Sequence, residues 1–218
     1  MQDLDCLLVY ESGGRLTNAA FAARDGWEER ALAVVPATSA EAPDLVELTL
    51  QAKSPVRLIR FELTRPMPAW ADEATRTLVN GYQSWSRSEE YLPRESQRGL
   101  NPALWFLRPY GEPAGDYAGG QGRFHSWSLT YLRSAGHTCL LGSTDERSGF
   151  TLFTVDWPHR CVRAAKECGG RLLEAGEEYR LLSLFTGEAP GPGELFAAHA
   201  RACRLPEPPA KQIGRAHV

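Results

Sequence analysis

Apolar and polar positions alternate in short bursts along this chain, and each burst stops at a turn sequence. Val46-Glu47-Leu48-Thr49-Leu50-Gln51 alternates strictly, as a strand does when one face lies on a core and the other in water. Residues 56–63 continue in the same style with Ile59, Phe61 and Leu63 on one face, and Lys53-Ser54-Pro55 supplies the break between the two. Runs at 126–133, 139–142, 150–157 and 179–185 are short, rich in β-branched or aromatic residues, and separated by glycine-bearing turns. Near the start, Ser12-Gly13-Gly14-Arg15 and Arg24-Asp25-Gly26-Trp27 punctuate the chain as hairpins do. One helix is predicted, over 194–204, because Glu194 in its first turn and Arg201 and Arg204 in its last complement the helix dipole. Leu195, Ala198, His199 and Ala202 share a face of it, with His199 read as a packing residue. Many brief strands without alternating helices predict a mainly β fold, an antiparallel β-sandwich with a C-terminal linker helix.

Two segments depart from the pattern. From 86 to 123 the sequence is irregular and carries Pro93, Pro102, Pro109 and Pro113, but Tyr91, Trp105, Phe106, Tyr110 and Tyr117 predict a packed loop rather than a disordered one. After the helix, Leu205-Pro206-Glu207-Pro208-Pro209 is a stiff linker of the kind that spaces domains. The division expected is a sandwich domain over 1–190, a helix and linker over 191–212, and a non-native tail over 213–218. That tail, Ile213-Gly214-Arg215-Ala216-His217-Val218, reverse-translates to ATC GGA AGA GCA CAC GTC, a stretch of a widely used sequencing adapter. Codons that differ from it and run on into genomic DNA with a stop would sink that reading.

Composition narrows the function. At 218 residues, 43% hydrophobic and 23% charged, the chain has the make-up of an ordinary globular domain. A net charge of −3 gives no positive field to gather phosphates or anionic lipid, so no nucleic-acid or membrane partner is expected and a neutral ligand fits better. No stretch approaches the roughly 20 apolar residues of a membrane helix, and Met1-Gln2-Asp3-Leu4-Asp5 is unlike a secretory leader, so a cytoplasmic location is expected. The 5 cysteines are scattered without a Cys-x-x-Cys pair and the histidines are equally dispersed, which predicts reduced thiols, no metal and no cofactor.

No nucleophile elbow, phosphate loop, His-Glu-x-x-His or dinucleotide fingerprint is present, so no catalytic residue is assigned. Glu89-Glu90, Asp145-Glu146 and Glu177-Glu178 are read as solvated turn carboxylates, since glycosidic cleavage needs two carboxyls about 5 to 10 Å apart across a sugar. The distinctive stretch is Thr77-Leu78-Val79-Asn80-Gly81-Tyr82-Gln83-Ser84-Trp85-Ser86. Leu78 and Val79 close a buried strand, Asn80-Gly81 tolerates a tight turn, and aromatic and amide groups follow. An indole face covers the apolar patch of a pyranose while amides bond its hydroxyls; the same residues also suit a hairpin with Tyr82 and Trp85 in the core.

Asn80-Gly81-Tyr82-Gln83-Ser84-Trp85-Ser86 resembles the signature near the end of the N-terminal β-domain of family 36 glycoside hydrolases, the α-galactosidase type. The order of parts is similar too: a long Pro/Arg-bearing loop, a strand like His125-Ser126-Trp127-Ser128-Leu129-Thr130-Tyr131, a run like Gly149-Phe150-Thr151, and a helix before a proline linker. The resemblance implies a supersandwich-like domain without catalytic residues, followed by a (β/α)₈ barrel that supplies an Asp nucleophile and an Asp acid/base. It implies that Trp85 helps wall a galactose subsite, with Tyr82, Gln83 and Asn80 shaping its loop, and that the partners are the chain's own barrel and α-galactoside oligosaccharides. Trp105 and Trp127 fit either site or core. Taken alone, the chain would expose the surface that docks on the barrel, which predicts poor solubility or association into homo-oligomers. A free-standing carbohydrate-binding module and a purely structural sandwich are the alternatives.

Overall fold

The structure, a computed structural model, describes residues 4–39, 42–81, 88–97 and 120–204. Fourteen strands and one helix follow in order: β1 (Asp5–Ser12), β2 (Arg15–Ala22), β3 (Trp27–Glu28), β4 (Leu32–Ser39), β5 (Ala42–Ala52), β6 (Val56–Pro66), β7 (Arg76–Val79), β8 (Glu89–Tyr91), β9 (Arg123–Trp127), β10 (Leu129–Ser134), β11 (His137–Ser143), β12 (Leu152–Asp156), β13 (Cys161–Leu173), β14 (Glu178–Ala189) and α1 (Pro192–Ala202). They form a six-stranded sheet, β2-β1-β6-β13-β12-β9, and an eight-stranded sheet, β3-β4-β5-β14-β11-β10-β7-β8. The pairings are antiparallel, and the two sheets form the expected sandwich.

Alternation puts one side chain in two on the shared core. Val46, Leu48 and Leu50 of β5 are buried together with Leu182 and Leu184 of β14, and they meet Leu8, Phe61, Leu63, Phe124 and Phe153 from the other sheet. A buried Arg65 runs through this interior: its Nη1 lies 3.2 Å from Cys139 Sγ, and its Nη2 donates to Glu188 Oε1 at 3.0 Å. A smaller cluster of Tyr131, Leu140 and Phe185 lies under Leu195 of α1. Close approach of the helix needs Gly142, because a Cβ there would come within 2.5 Å of His199 Nε2.

Five features differ from the pattern read in the sequence. Residues 126–133 are not one strand: Ser128 takes a φ of 62°, and the chain passes there from β9 in one sheet to β10 in the other. Ser128 is held in this conformation by its N–H on Thr151 O at 2.9 Å and by Ser143 N–H on its carbonyl at 2.7 Å. In β6 the buried face changes phase: Val56 and Leu58, then Phe61 and Leu63, point inward, while Ile59 sits in a bulge that leaves it half-buried. The central strand β13 has no clear counterpart in the alternation, because charged residues and Gly169-Gly170, both at positive φ, interrupt its apolar positions. Finally, β8 occupies part of the stretch expected to be irregular, and α1 begins at Pro192, two residues before the expected start.

Among the described residues no helix is long and apolar enough to cross a membrane. The large exposed apolar side chains there, Leu16, Val35, Phe150, Leu172 and Phe196, fall on five different segments, with Leu16 and Leu172 in one cross-strand row of the six-stranded sheet.

Candidate functional site

Asn80 stands where β7 ends, and its polar groups are engaged in four directions. Its N–H donates to Ser126 Oγ at 2.7 Å and its carbonyl accepts from Trp127 N–H at 2.9 Å. Its side-chain Nδ2 donates to Trp127 O at 2.8 Å, and its Oδ1 accepts from Ser88 Oγ at 2.9 Å. Ser126 Oγ passes its own proton on to Leu129 O at 2.5 Å. Because β7 belongs to the eight-stranded sheet and β9 to the six-stranded one, Asn80 stitches the two sheets together where the chain leaves β7. Ser88, eight residues on, is tied to the same amide, so both roots of the 81–87 segment are fixed at one point of the rim.

Of the four residues assigned to a sugar site, Asn80 is the one the structure describes; Tyr82, Gln83 and Trp85 lie outside the described residues, as does Trp105. Trp127 is buried, 8% exposed, and packs edge-on against Phe150 with centroids 6.4 Å apart. Phe150 itself is 54% exposed.

A cavity of about 550 Å³ adjoins β8 and is lined, among the described residues, by Glu89, Glu90, Tyr91, Glu95 and Ser96. Its carboxylates are tied, not poised. Glu89 Oε2 accepts from Tyr91 OH at 3.1 Å, and Glu95 Oε2 from Leu92 N–H at 2.6 Å. Glu90 takes Tyr131 OH at 2.5 Å on Oε1, with Arg133 Nε at 3.0 Å on the same oxygen and Arg133 Nη2 at 2.7 Å on Oε2. Burial acts to raise the Glu90 carboxyl, but the bonds from Arg133 and Tyr131 outweigh it and hold it below the usual glutamate range. Burial and the Glu90 carboxylate together push Tyr131 up to about 12.

The expectation of solvated turn carboxylates therefore fails for Glu90, and it fails again at Asp145-Glu146. Asp145 is held down to about 2 by Arg147, while Glu146 is raised by burial. Glu177 and Glu178 do sit at a turn and a strand end, accepting from Glu174 N–H and Gln51 Nε2 at 2.9 Å each. Since the Glu90 carboxyl is depressed, it stabilises the native state above the ordinary glutamate pKa, and that contribution is lost as pH falls through the folded value. Glu90→Gln is expected to lower stability at pH 7 by about 1 kcal/mol after allowance for solvent screening. In thermal melts the gap between variant and parent should close as the pH falls below the ordinary glutamate range.

One Cys/His pair invites a nucleophile reading and does not sustain it. Cys203 Sγ lies 3.5 Å from His199 Nε2, but that nitrogen also sits 2.9 Å from Ser143 O, which can only accept. Nε2 therefore carries the proton and cannot serve as a base for the thiol. Burial also raises the Cys203 thiol, and the five cysteines are free. His199 is a satisfied packing residue, as its helical position suggested, with its ring 5.8 Å from that of Phe185. Among the described residues no group of three metal-ligating side chains converges.

No protein-family model and no curated protein matches the chain.

Proposed function

We propose that the chain is the non-catalytic N-terminal β-domain of a family 36 glycoside hydrolase of the α-galactosidase type. In this reading residues 81–87 form a loop that leans over the mouth of a following catalytic barrel, and the Trp85 indole walls the galactose subsite. The observation that supports it best is the Asn80 clamp, which ties the loop's two roots to one rim of the sandwich through Ser126, Trp127 and Ser88. A loop so anchored can hold an aromatic side chain against a sugar with little loss of conformational entropy on binding. The sandwich supplies the scaffold and the barrel supplies the two carboxylates of a retaining mechanism.

Two measurements test this. Reading the parent gene beyond codon 212 should show a (β/α)₈ barrel; a stop codon, or a different domain, would sink the proposal. In the complete enzyme, Trp85→Ala should cut kcat/KM on an aryl α-galactoside by about 10- to 100-fold, the loss of one stacking wall. Measurable galactose binding by the 218-residue chain alone, abolished by the same substitution, would favour a free-standing carbohydrate-binding module instead.

A further inference from the structure

The outward face of the six-stranded sheet carries a depression that the glycosidase reading does not use. Pairing across β6, β13, β12 and β9 aligns Thr64, Arg163, Thr154 and His125 in one row, and Glu62, Ala165, Leu152 and Trp127 in the next. Arg60 and Glu167 stand beyond the second row, and Asp156 and Arg123 beyond the first. Ala165 is the small side chain among long ones. Over it lies a cavity of about 220 Å³ walled by Arg60, Glu62, Arg123, His125, Thr154 and Arg163.

Hydrogen-bond accounting shows what this cavity lacks. Arg60 gives its Nη2 to Glu62 and its Nη1 to Glu167 at 3.3 Å. Arg163 Nη2 lies 2.9 Å from Asp156 Oδ2, which Arg123 Nε also approaches at 3.3 Å. Asp156 is fully buried beneath these partners and His159, so its charge is spent inside the cluster rather than presented to the cavity. What remains is a pair of donors: Nε of Arg60 and Nε of Arg163 are both buried and both without an acceptor. A buried guanidinium N–H left unmatched is costly, and two of them bordering one cavity call for an oxygen acceptor between them.

We propose that this depression binds a small oxyanion, a phosphate or a carboxylate, seated over Ala165. Its oxygens accept from Arg60 Nε and Arg163 Nε, with Thr154 and His125 at the opposite wall. Arginine suits the task because its planar fork presents fixed donors to such groups. Among the described residues Glu62 is the one carboxylate in the wall, and its pairing with Arg60 keeps it from opposing the ligand.

Thermal melts and titration calorimetry of the 218-residue chain test it, with phosphate, acetate and chloride compared at constant ionic strength. Phosphate or acetate should raise Tm saturably over chloride, with a midpoint on the order of 1 mM. The larger of the two shifts tells which oxyanion the site prefers. Ala165→Leu, which fills the floor without touching a charge, should abolish the shift, and Arg163→Gln and Arg60→Gln should each weaken it about tenfold or more. Arg15→Gln, the same charge change at an exposed residue of another strand, should leave it intact. The proposal is overturned if neither anion exceeds chloride, if a folded Ala165→Leu protein, judged by circular dichroism, keeps the response, or if Arg15→Gln loses it as the cavity variants do.

Discussion

Replacing Lys166 by Met is expected to destabilise the protein by about 2–4 kcal/mol, the cost of losing a buried donor from two part-buried acceptors and leaving Glu146 with less compensation. Lys166 is fully buried in β13, with its Nζ donating to Asp145 O at 3.0 Å and to Ser148 Oγ at 2.9 Å. Those bonds pin the connection between β11 and β12 down onto the sheet. Methionine keeps most of the volume and loses both donors, so the loss reads the polar contacts rather than a void. Burial lowers the Lys166 ammonium and the charges of Glu146 and Asp145 work against that shift, while burial raises Glu146. Both directions mean that holding charge at this place is costly, and Glu146 Oε1 lacks a hydrogen-bond partner altogether. Removing the lysine alone leaves the Glu146 carboxylate with less compensation, so Glu146→Gln added to Lys166→Met should recover part of the loss. A double-mutant cycle by urea denaturation measures the coupling. The pH dependence has a definite sign. Between the ordinary glutamate range and the raised folded value, the native state holds more protons than the unfolded chain, so stability falls as pH rises through that window. Glu146→Gln should flatten this slope, and an unchanged slope would show that the carboxyl is not buried as described.

The strands whose burial follows a simple period were legible in the sequence, and the departures each have a local cause. β5 alternates strictly because one of its faces meets the other sheet and the opposite face meets water. β13 lies at the centre of its sheet, yet its fully buried Lys166 and its Gly169-Gly170 bulge mimic a surface turn. Ser128 passes the chain from sheet to sheet with one positive φ, a conformation that serine does not announce. Charged positions misled in the same way: Glu90 and Glu146 sit in acidic pairs that look solvated, and their environment comes from Tyr131, Arg133 and Thr151, which no short-range pattern links to them. At the candidate site, Asn80-Gly81 was legible as the end of a strand. The partners that make Asn80 a clamp, Ser126 and Trp127, are 46 and 47 residues away and became neighbours only when β9 crossed to the rim.

That clamp carries the second large effect. Asn80→Ala keeps the two backbone bonds to Ser126 and Trp127 but removes Nδ2 from the Trp127 carbonyl and Oδ1 from Ser88, at an expected cost of about 1–3 kcal/mol. Asn80→Asp should be worse than alanine at neutral pH, although it is closer in shape. It would retain an acceptor for Ser88 but turn a carboxylate oxygen toward a carbonyl in a half-buried place, where repulsion adds to the lost bond. Ser88→Ala removes one of the two side-chain bonds, so it should cost less than either. The ordering Ser88→Ala, Asn80→Ala, Asn80→Asp in chemical denaturation is the structural half of the test, and protonating the introduced carboxyl at low pH should narrow the gap between the last two. The functional half separates an anchor from a mere fold element. If the 81–87 loop lines a sugar subsite, Asn80→Ala in the complete enzyme should raise KM and lower kcat/KM at temperatures well below its melting point. Ser88→Ala should do so more weakly, and Lys166→Met, at least as destabilising but in a different connection, should leave both constants unchanged while the protein remains folded. Parallel losses in all three would mean that the kinetic effect follows global stability, and Asn80 would then be a seam between the sheets with no bearing on the sugar.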